Sequence, residues 1–294
     1  MKKQRMTKRS GGRPRGVFQR NHKVFGLAAA VLLAVILCCG CHNPFLLEDV
    51  ETAPADEPET GTAAEESSQT PSTGEAVPEE SRGSLTGFTI CLDPGHGIAS
   101  ASKQEAVSPK SSETKPAYVS GAVGNSQTEE EVNLAVAEKL KAKLEADGAT
   151  VIMTRTAHEA TVSNIERAEM ANEAGADLCV RIHADGSDNK SIHGISVLVP
   201  EGNLLGTPAI VEPSRAAGEA VHDALIDATG AEDHGIVVRT DLTGFNWSEV
   251  PVILVEMGFF SNDEEDAKLA TDEYREILAE GMHHGIRNWL TKQK

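Results

Sequence analysis

The chain is 294 residues long, 39% hydrophobic and 24% charged, with a formal net charge of −18. That acidity excludes a nucleic-acid binder, because such binding rests on neutralising phosphates with Lys and Arg. Five cysteines over this length exclude a dense disulfide framework as well.

Charge is distributed unevenly along the chain. Residues 1–23 carry nine Lys/Arg and no acid, and residues 24–41 carry no charge at all. A basic stretch before an apolar run is the order of an export or membrane signal, with the basic end cytoplasmic. Eighteen residues is long for a removable signal core and about the minimum for a spanning helix. Gly40-Cys41 resembles the end of a lipoprotein signal. Two readings therefore stand, a lipid anchor at Cys41 or an uncleaved signal anchor. Both attach the chain to the membrane and place the residues after Cys41 on its outer face. Residues 42–82 then hold eleven Asp/Glu against the single Arg82. The segment 42–86 is rich in Glu, Pro, Ser and Thr and poor in apolar residues. It cannot bury enough surface to offset its ordering entropy and reads as a disordered tether. The remainder, 87–294, suits one sizeable domain.

Within that domain six β-branched runs read as strands: 88–93, 150–155, 178–184, 194–200, 235–239 and 251–256. Several are continuously apolar, as in strands buried on both faces. Thr128-x-x-Glu131 predicts a capping box opening a helix whose Val132, Val136, Leu140 and Leu144 form one stripe. Ser163-x-x-Glu166 opens a second helix, and 214–228 forms a third, stopped by Gly230. The last helix puts Leu278, Met282, Ile286 and Trp289 on one face and leaves His283 and His284 mainly on its polar side. Residues 97–127 lack periodicity and read as a loop beside the site. Cys91 and Cys179 each lie inside an apolar run and read as buried thiols. Alternating strands and helices predict an α/β domain with a mostly parallel, mixed sheet of about six strands flanked by helices.

Sites on open parallel sheets gather at the carboxyl ends of strands. His96 and His183 fall at such ends, as do Arg155 and Glu256. His193 and His234 precede strands and are set aside. Two His and one carboxylate form a recurring catalytic zinc set with water in the fourth position, and a second carboxylate then serves as general base and acid. Glu129 is the best-placed carboxylate, in the first turn of a helix, but Glu130 and Glu131 compete with it on spacing alone. Glu256 has three readings: catalytic base, further zinc ligand, or buried ion-pair partner of Arg155. Arg155, Arg167 and Asn246 are polar residues that either orient substrate or brace the crevice.

The stretches LDPGHG (92–97), EEEVNLAVAEKL (129–140), TRT (154–156), ERAEMAN (166–172), ADLCVRIHADGS (176–187) and VPVILVEMGFFSN (250–262) resemble the zinc-dependent type-3 N-acetylmuramoyl-L-alanine amidase family. The resemblance runs from about residue 87 to 291 with six motifs in order. It implies one Zn2+ held by His96, Glu129 and His183, with Glu256 as the catalytic glutamate. It also implies peptidoglycan as substrate, cut between N-acetylmuramic acid and the L-alanine of the stem peptide. The long loop after His96, Arg181 in place of a common Ser and Asp185 in place of a common Asn depart from the family pattern. A zinc endopeptidase or carboxypeptidase on the same polymer is the nearest rival, and a non-catalytic wall-binding regulator the next. No G-x-G-x-x-G follows the first strand, which removes a dinucleotide-binding reading. The sequence identifies no protein activator.

Overall fold

The computed structural model describes residues 83–98 and 102–293. The basic segment, the apolar run ending at Cys41 and the tether as far as residue 82 lie outside the described residues. Among the described residues no helix is long and apolar enough to cross a membrane.

Six strands form one sheet: β1 (Thr89–Pro94), β4 (Thr150–Met153), β5 (Leu178–Asp185), β6 (Ile195–Pro200), β7 (Asp233–Arg239) and β8 (Val252–Phe259). Their order is β4-β1-β5-β8-β6-β7. β4, β1, β5 and β8 run parallel to one another, and β6 pairs antiparallel with β8 while β7 runs parallel to β6. The expected mixed, mostly parallel sheet is the observed one. The central strands are buried on both faces, which is why β5 reads LCVRIHAD with scarcely an alternation.

One face of the sheet is covered by three long helices, α1 (Glu129–Ala146), α3 (Val211–Thr229) and α6 (Asp272–Leu290). The α1 stripe Val132, Val136, Leu140 and Leu144 is fully buried there. The capping box opens this helix as expected, the Glu131 carboxylate accepting from the Thr128 N–H at 2.9 Å. Gly281 and Gly285 of α6 let it lie directly on α3. A Cβ at Gly285 would fall 2.5 Å from Val221 Cα and 2.6 Å from the Ala220 carbonyl oxygen. The opposite face carries α2 (Asn164–Glu173) and the short α4 (Thr243–Asn246) over a smaller core containing Cys91, Cys179, Leu198 and Phe245. α5 (Asp263–Leu269) follows β8. Both core cysteines are buried free thiols.

Three expectations are corrected. Residues 97–127 are not wholly irregular: β2 (Gln104–Ala106) and β3 (Thr114–Pro116) pair as an antiparallel hairpin. Too short for periodicity to reveal, it is held from outside by Asn246 Nδ2 and Trp247 Nε1, which donate to the carbonyls of Val107 and Ala106. The last residues of the expected tether, 83–86, are tied to the domain by hydrogen bonds to Asp147 and by one buried side chain. Leu85 is fully buried, and its N–H donates to the Asp147 carbonyl at 2.9 Å. His283 is not on a solvated face but buried against α1, its Nε2 3.1 Å from Asp147 Oδ2. The hydrophobic period alone could not show that α6 is covered on that side too.

Candidate active site

β1 ends in the turn Pro94–Gly95–His96, and His96 has φ +60°, the only positive value at a non-glycine among the described residues. Left-handed backbone is costly for a side-chain-bearing residue and persists where its surroundings impose it. Two buried arginines supply that constraint. Arg155 donates to the carbonyls of Pro94 and Gly95 at 2.9 Å each and to that of Glu130 at 2.6 Å. Arg167 donates to the Pro94 carbonyl at 2.8 Å and also to the carbonyl of His96. Its Nη1 meets Asp93 Oδ1 at 2.5 Å, and Arg181 Nε meets Asp93 Oδ2 at 2.7 Å. Burial pushes the Asp93 carboxyl up, but Arg167 and Arg181 outweigh it and hold it well below the usual carboxylate range.

His96 Nδ1 lies 2.8 Å from the Val119 carbonyl, which turns Nε2 toward Glu129 Oε1 at 3.2 Å. His183, near the end of β5, lies with Nδ1 3.0 Å from the same oxygen. The two imidazoles meet edge to face, their centroids 4.8 Å apart. Glu129 is buried as the first residue of α1. Its carboxylate also accepts from the Ala122 N–H at 2.8 Å and from Asn133 Nδ2 at 3.2 Å. Burial pushes the Glu129 carboxyl up, yet His183 and His96 hold it well below its ordinary value. Of the three competing glutamates, Glu129 alone joins the two histidines. Glu131 caps the helix, and Glu130 Oε2 is buried without a partner.

Glu256 of β8 is the register partner of His183 on the adjacent parallel strand. It lines the same crevice as His96, Glu129 and His183, together with Gly121, Asp185 and Gly186. Its Oε2 is buried without a hydrogen-bond partner. Burial, reinforced by the charges of Glu129 and Asp185, raises the carboxyl well above its ordinary value. Arg155 is not its ion-pair partner, because that guanidinium is spent on the carbonyls of the His96 turn and of Glu130 and Ala157.

The remaining sequence candidates are placed away from the open crevice. Asn246 is fully buried and holds the β2–β3 hairpin. Arg155 and Arg167 are buried beneath the His96 turn, although Arg167 also borders a cavity lined by His96, Tyr118, Asn164, Arg181 and His183. Because β6 and β7 run opposite to β8, their starts lie at the same edge of the sheet as its carboxyl end. His193 and His234 therefore reach that edge, where His234 Nε2 meets the His193 carbonyl at 2.6 Å and His193 Nε2 meets Glu232 at 2.9 Å.

Sequence reasoning missed three supporting residues. Asn133 sits one turn after Glu129 on the same helix face, a spacing that was available. Gly95 and Gly121 had no such signal. A Cβ at Gly95 would fall 2.2–2.6 Å from the His183 ring, and one at Gly121 2.7 Å from Glu129 Oε2. The donor set suits Zn2+: two imidazoles and a carboxylate whose ligand atoms lie within 4.8 Å of one another, with His183 Nε2 buried and unpartnered.

A profile of the N-acetylmuramoyl-L-alanine amidase family matches residues 90–288, well over half the chain. The amidase LytC of Bacillus subtilis is 29% identical over 216 residues, covering 74% of this chain but 38% of LytC. The probable cell wall amidase LytH of Staphylococcus aureus is 28% identical over 207 residues, 70% of this chain and 60% of LytH. The crystal structure of the amidase Ami1 from Mycobacterium smegmatis superposes with a TM-score of 0.65 at 28% identity, over 71% of this chain and 99% of Ami1. On the match to the family profile, the chain belongs to the N-acetylmuramoyl-L-alanine amidase family.

Proposed function

We propose that the chain is a zinc-dependent peptidoglycan amidase that hydrolyses the amide joining the lactyl group of N-acetylmuramic acid to L-alanine of the stem peptide. The observation that carries the reading is the convergence of His96, Glu129 and His183 with Glu256 on the neighbouring strand. Zn2+ held by the first three residues would supply a water of pKa about 7 and a Lewis acid for the amide carbonyl. Glu256 accepts the proton of the attacking water and returns it to the departing alanine nitrogen. Its desolvated carboxylate, raised well above its ordinary value, suits both halves of that transfer. His96 is aimed by its bond to Val119, and Glu129 by the Ala122 N–H and Asn133. The two arginines act through the turn they clamp.

In this reading residues 1–41 attach the enzyme to the outer face of the membrane, at a lipidated Cys41 or as a signal anchor, and the acidic tether carries the domain toward the wall. A Cys41→Ala variant distinguishes the two by mobility, since only a lipidated chain changes. Mass spectrometry of digested peptidoglycan tests the activity. Free, intact stem peptides with a new L-alanine amino terminus, abolished by a chelator, are expected. Products cut within the stem would replace the amidase with an endopeptidase or carboxypeptidase.

A further inference from the structure

A second group of ligand-type side chains lies outside the crevice, on the helix α6. Glu280, His283 and His284 stand at positions i, i+3 and i+4, the spacings that share one helix face. A ligand atom from each lies within 4.8 Å of those of the other two. His284 Nε2 is 2.8 Å from Glu280 Oε1, while Glu280 Oε2 is engaged by Lys143 at 2.5 Å, which leaves one carboxylate oxygen on the histidine side.

His283 is the residue that a plain surface cluster does not explain. It is 8% exposed, and its Nε2 lies 3.1 Å from Asp147 Oδ2, while its Nδ1 is buried with no hydrogen-bond partner. With Nε2–H donated to a carboxylate, the imidazole is fixed in the tautomer that carries its lone pair on Nδ1. A carboxylate behind a histidine is the usual arrangement around a metal ligand, where it orients the ring and raises its basicity. A buried nitrogen left without a partner is costly, and a bound cation would satisfy it. Asp147 is itself fixed, accepting from the Ser84 N–H at 3.1 Å and the Ser84 hydroxyl at 2.9 Å. Acid from α3 lies close by: Asp223 and Asp227 border the groove that Glu280 and His284 line.

We propose that Glu280, His283 and His284 form a second metal site, taking one divalent ion of the Zn2+ class with water completing its shell. Two imidazoles and a carboxylate select zinc, copper or nickel over magnesium or calcium. The ion would join α6 to the end of α1 through His283 and Asp147, and so to Ser84. The site is independent of the catalytic cluster and stands whether or not that cluster holds zinc.

Zinc content of the full chain, purified in detergent and equilibrated with buffered Zn2+, tests this. His284 is exposed, so His284→Ala is expected to leave the fold intact; Glu280→Gln is the companion variant. Each should carry one equivalent fewer than the wild type. His96→Ala should lose a different equivalent, and His96→Ala combined with His284→Ala should lose both. Equal zinc in the wild type, His284→Ala and Glu280→Gln would overturn the site, and so would extra zinc that both variants retain, which marks adventitious surface binding. A wild type with one equivalent, lost in His284→Ala and kept in His96→Ala, would uphold this site and remove the zinc from the catalytic reading instead.

Discussion

Replacing Glu256 by Gln keeps its shape and removes the basic oxygen. Proton transfer by a positioned carboxylate contributes roughly 100- to 10,000-fold. Glu256→Gln is therefore expected to melt near the wild type, keep its crevice zinc and lose at least about 100-fold in turnover. Near-normal turnover in a stable, metal-loaded variant would end the proposed mechanism. Glu129, Glu130 and Glu131 offer a comparison within one helical turn. Glu129→Ala should lose the crevice zinc, whereas Glu130→Ala and Glu131→Ala should keep it. Glu131→Ala should still cost about 1 kcal/mol through the lost cap. Equal zinc loss in all three, measured by elemental analysis, would contradict the geometry around His96 and His183. Spacing alone left these three glutamates open; the family motif pointed to Glu129. What separates them physically is that its side chain lies under His183 while Glu131 turns back to Thr128, a difference of rotamer and neighbour that lies beyond a helical wheel.

At the level of elements, the turn after β1 rests on a buried charge triad. Asp93→Asn leaves Arg167 and Arg181 without their anion, and stranding a buried charge costs about 3–5 kcal/mol. The pH sign comes from the depressed carboxyl of Asp93. A folded pKa below the unfolded one gives stability that is complete above the unfolded value, near 3.8, and is lost as pH falls toward the folded one. The stability gap between the wild type and Asp93→Asn, read from denaturant titrations, should be full at pH 6 and narrower at pH 3. A constant gap would show that Asp93 does not titrate with folding. The α3–α6 crossing gives a second expectation. Gly285→Ala forces a Cβ into the α3 backbone, which cannot yield as a flexible side chain would. It should lower stability by about 1–3 kcal/mol, whereas an unchanged melting temperature would mean that the helices separate freely. The strands, the α1 stripe and the carboxyl-end histidines were legible because burial on a pleated or helical surface imposes a period. The reversed direction of β6 was not, since an apolar run reads the same both ways. That reversal is why His193 and His234 were set aside for a reason the fold does not support.

For the molecule as a whole, Leu85 is already buried in the core and Ser84 is hydrogen-bonded to Asp147 at the end of α1. Residues 83–294 alone should therefore fold and cleave purified peptidoglycan, since the acidic stretch before them has few groups able to join a core. An insoluble or inactive fragment beside an active full chain would show that residues before Gly83 take part. Whole-molecule charge was legible from composition alone, but the burial of His283 was not, because it depends on how α6 meets the end of α1.

β8 enters the sheet between β5 and β6, although it is the last strand in the chain. A chain is synthesised from its amino end, so the sheet cannot close until residue 259 has been made. Up to that point β5 and β6 each present an unpaired edge, and the crevice lacks its glutamate. The order of strands thus ties the completed sheet to the completed crevice: the strand that joins β5 to β6 is the one that carries Glu256.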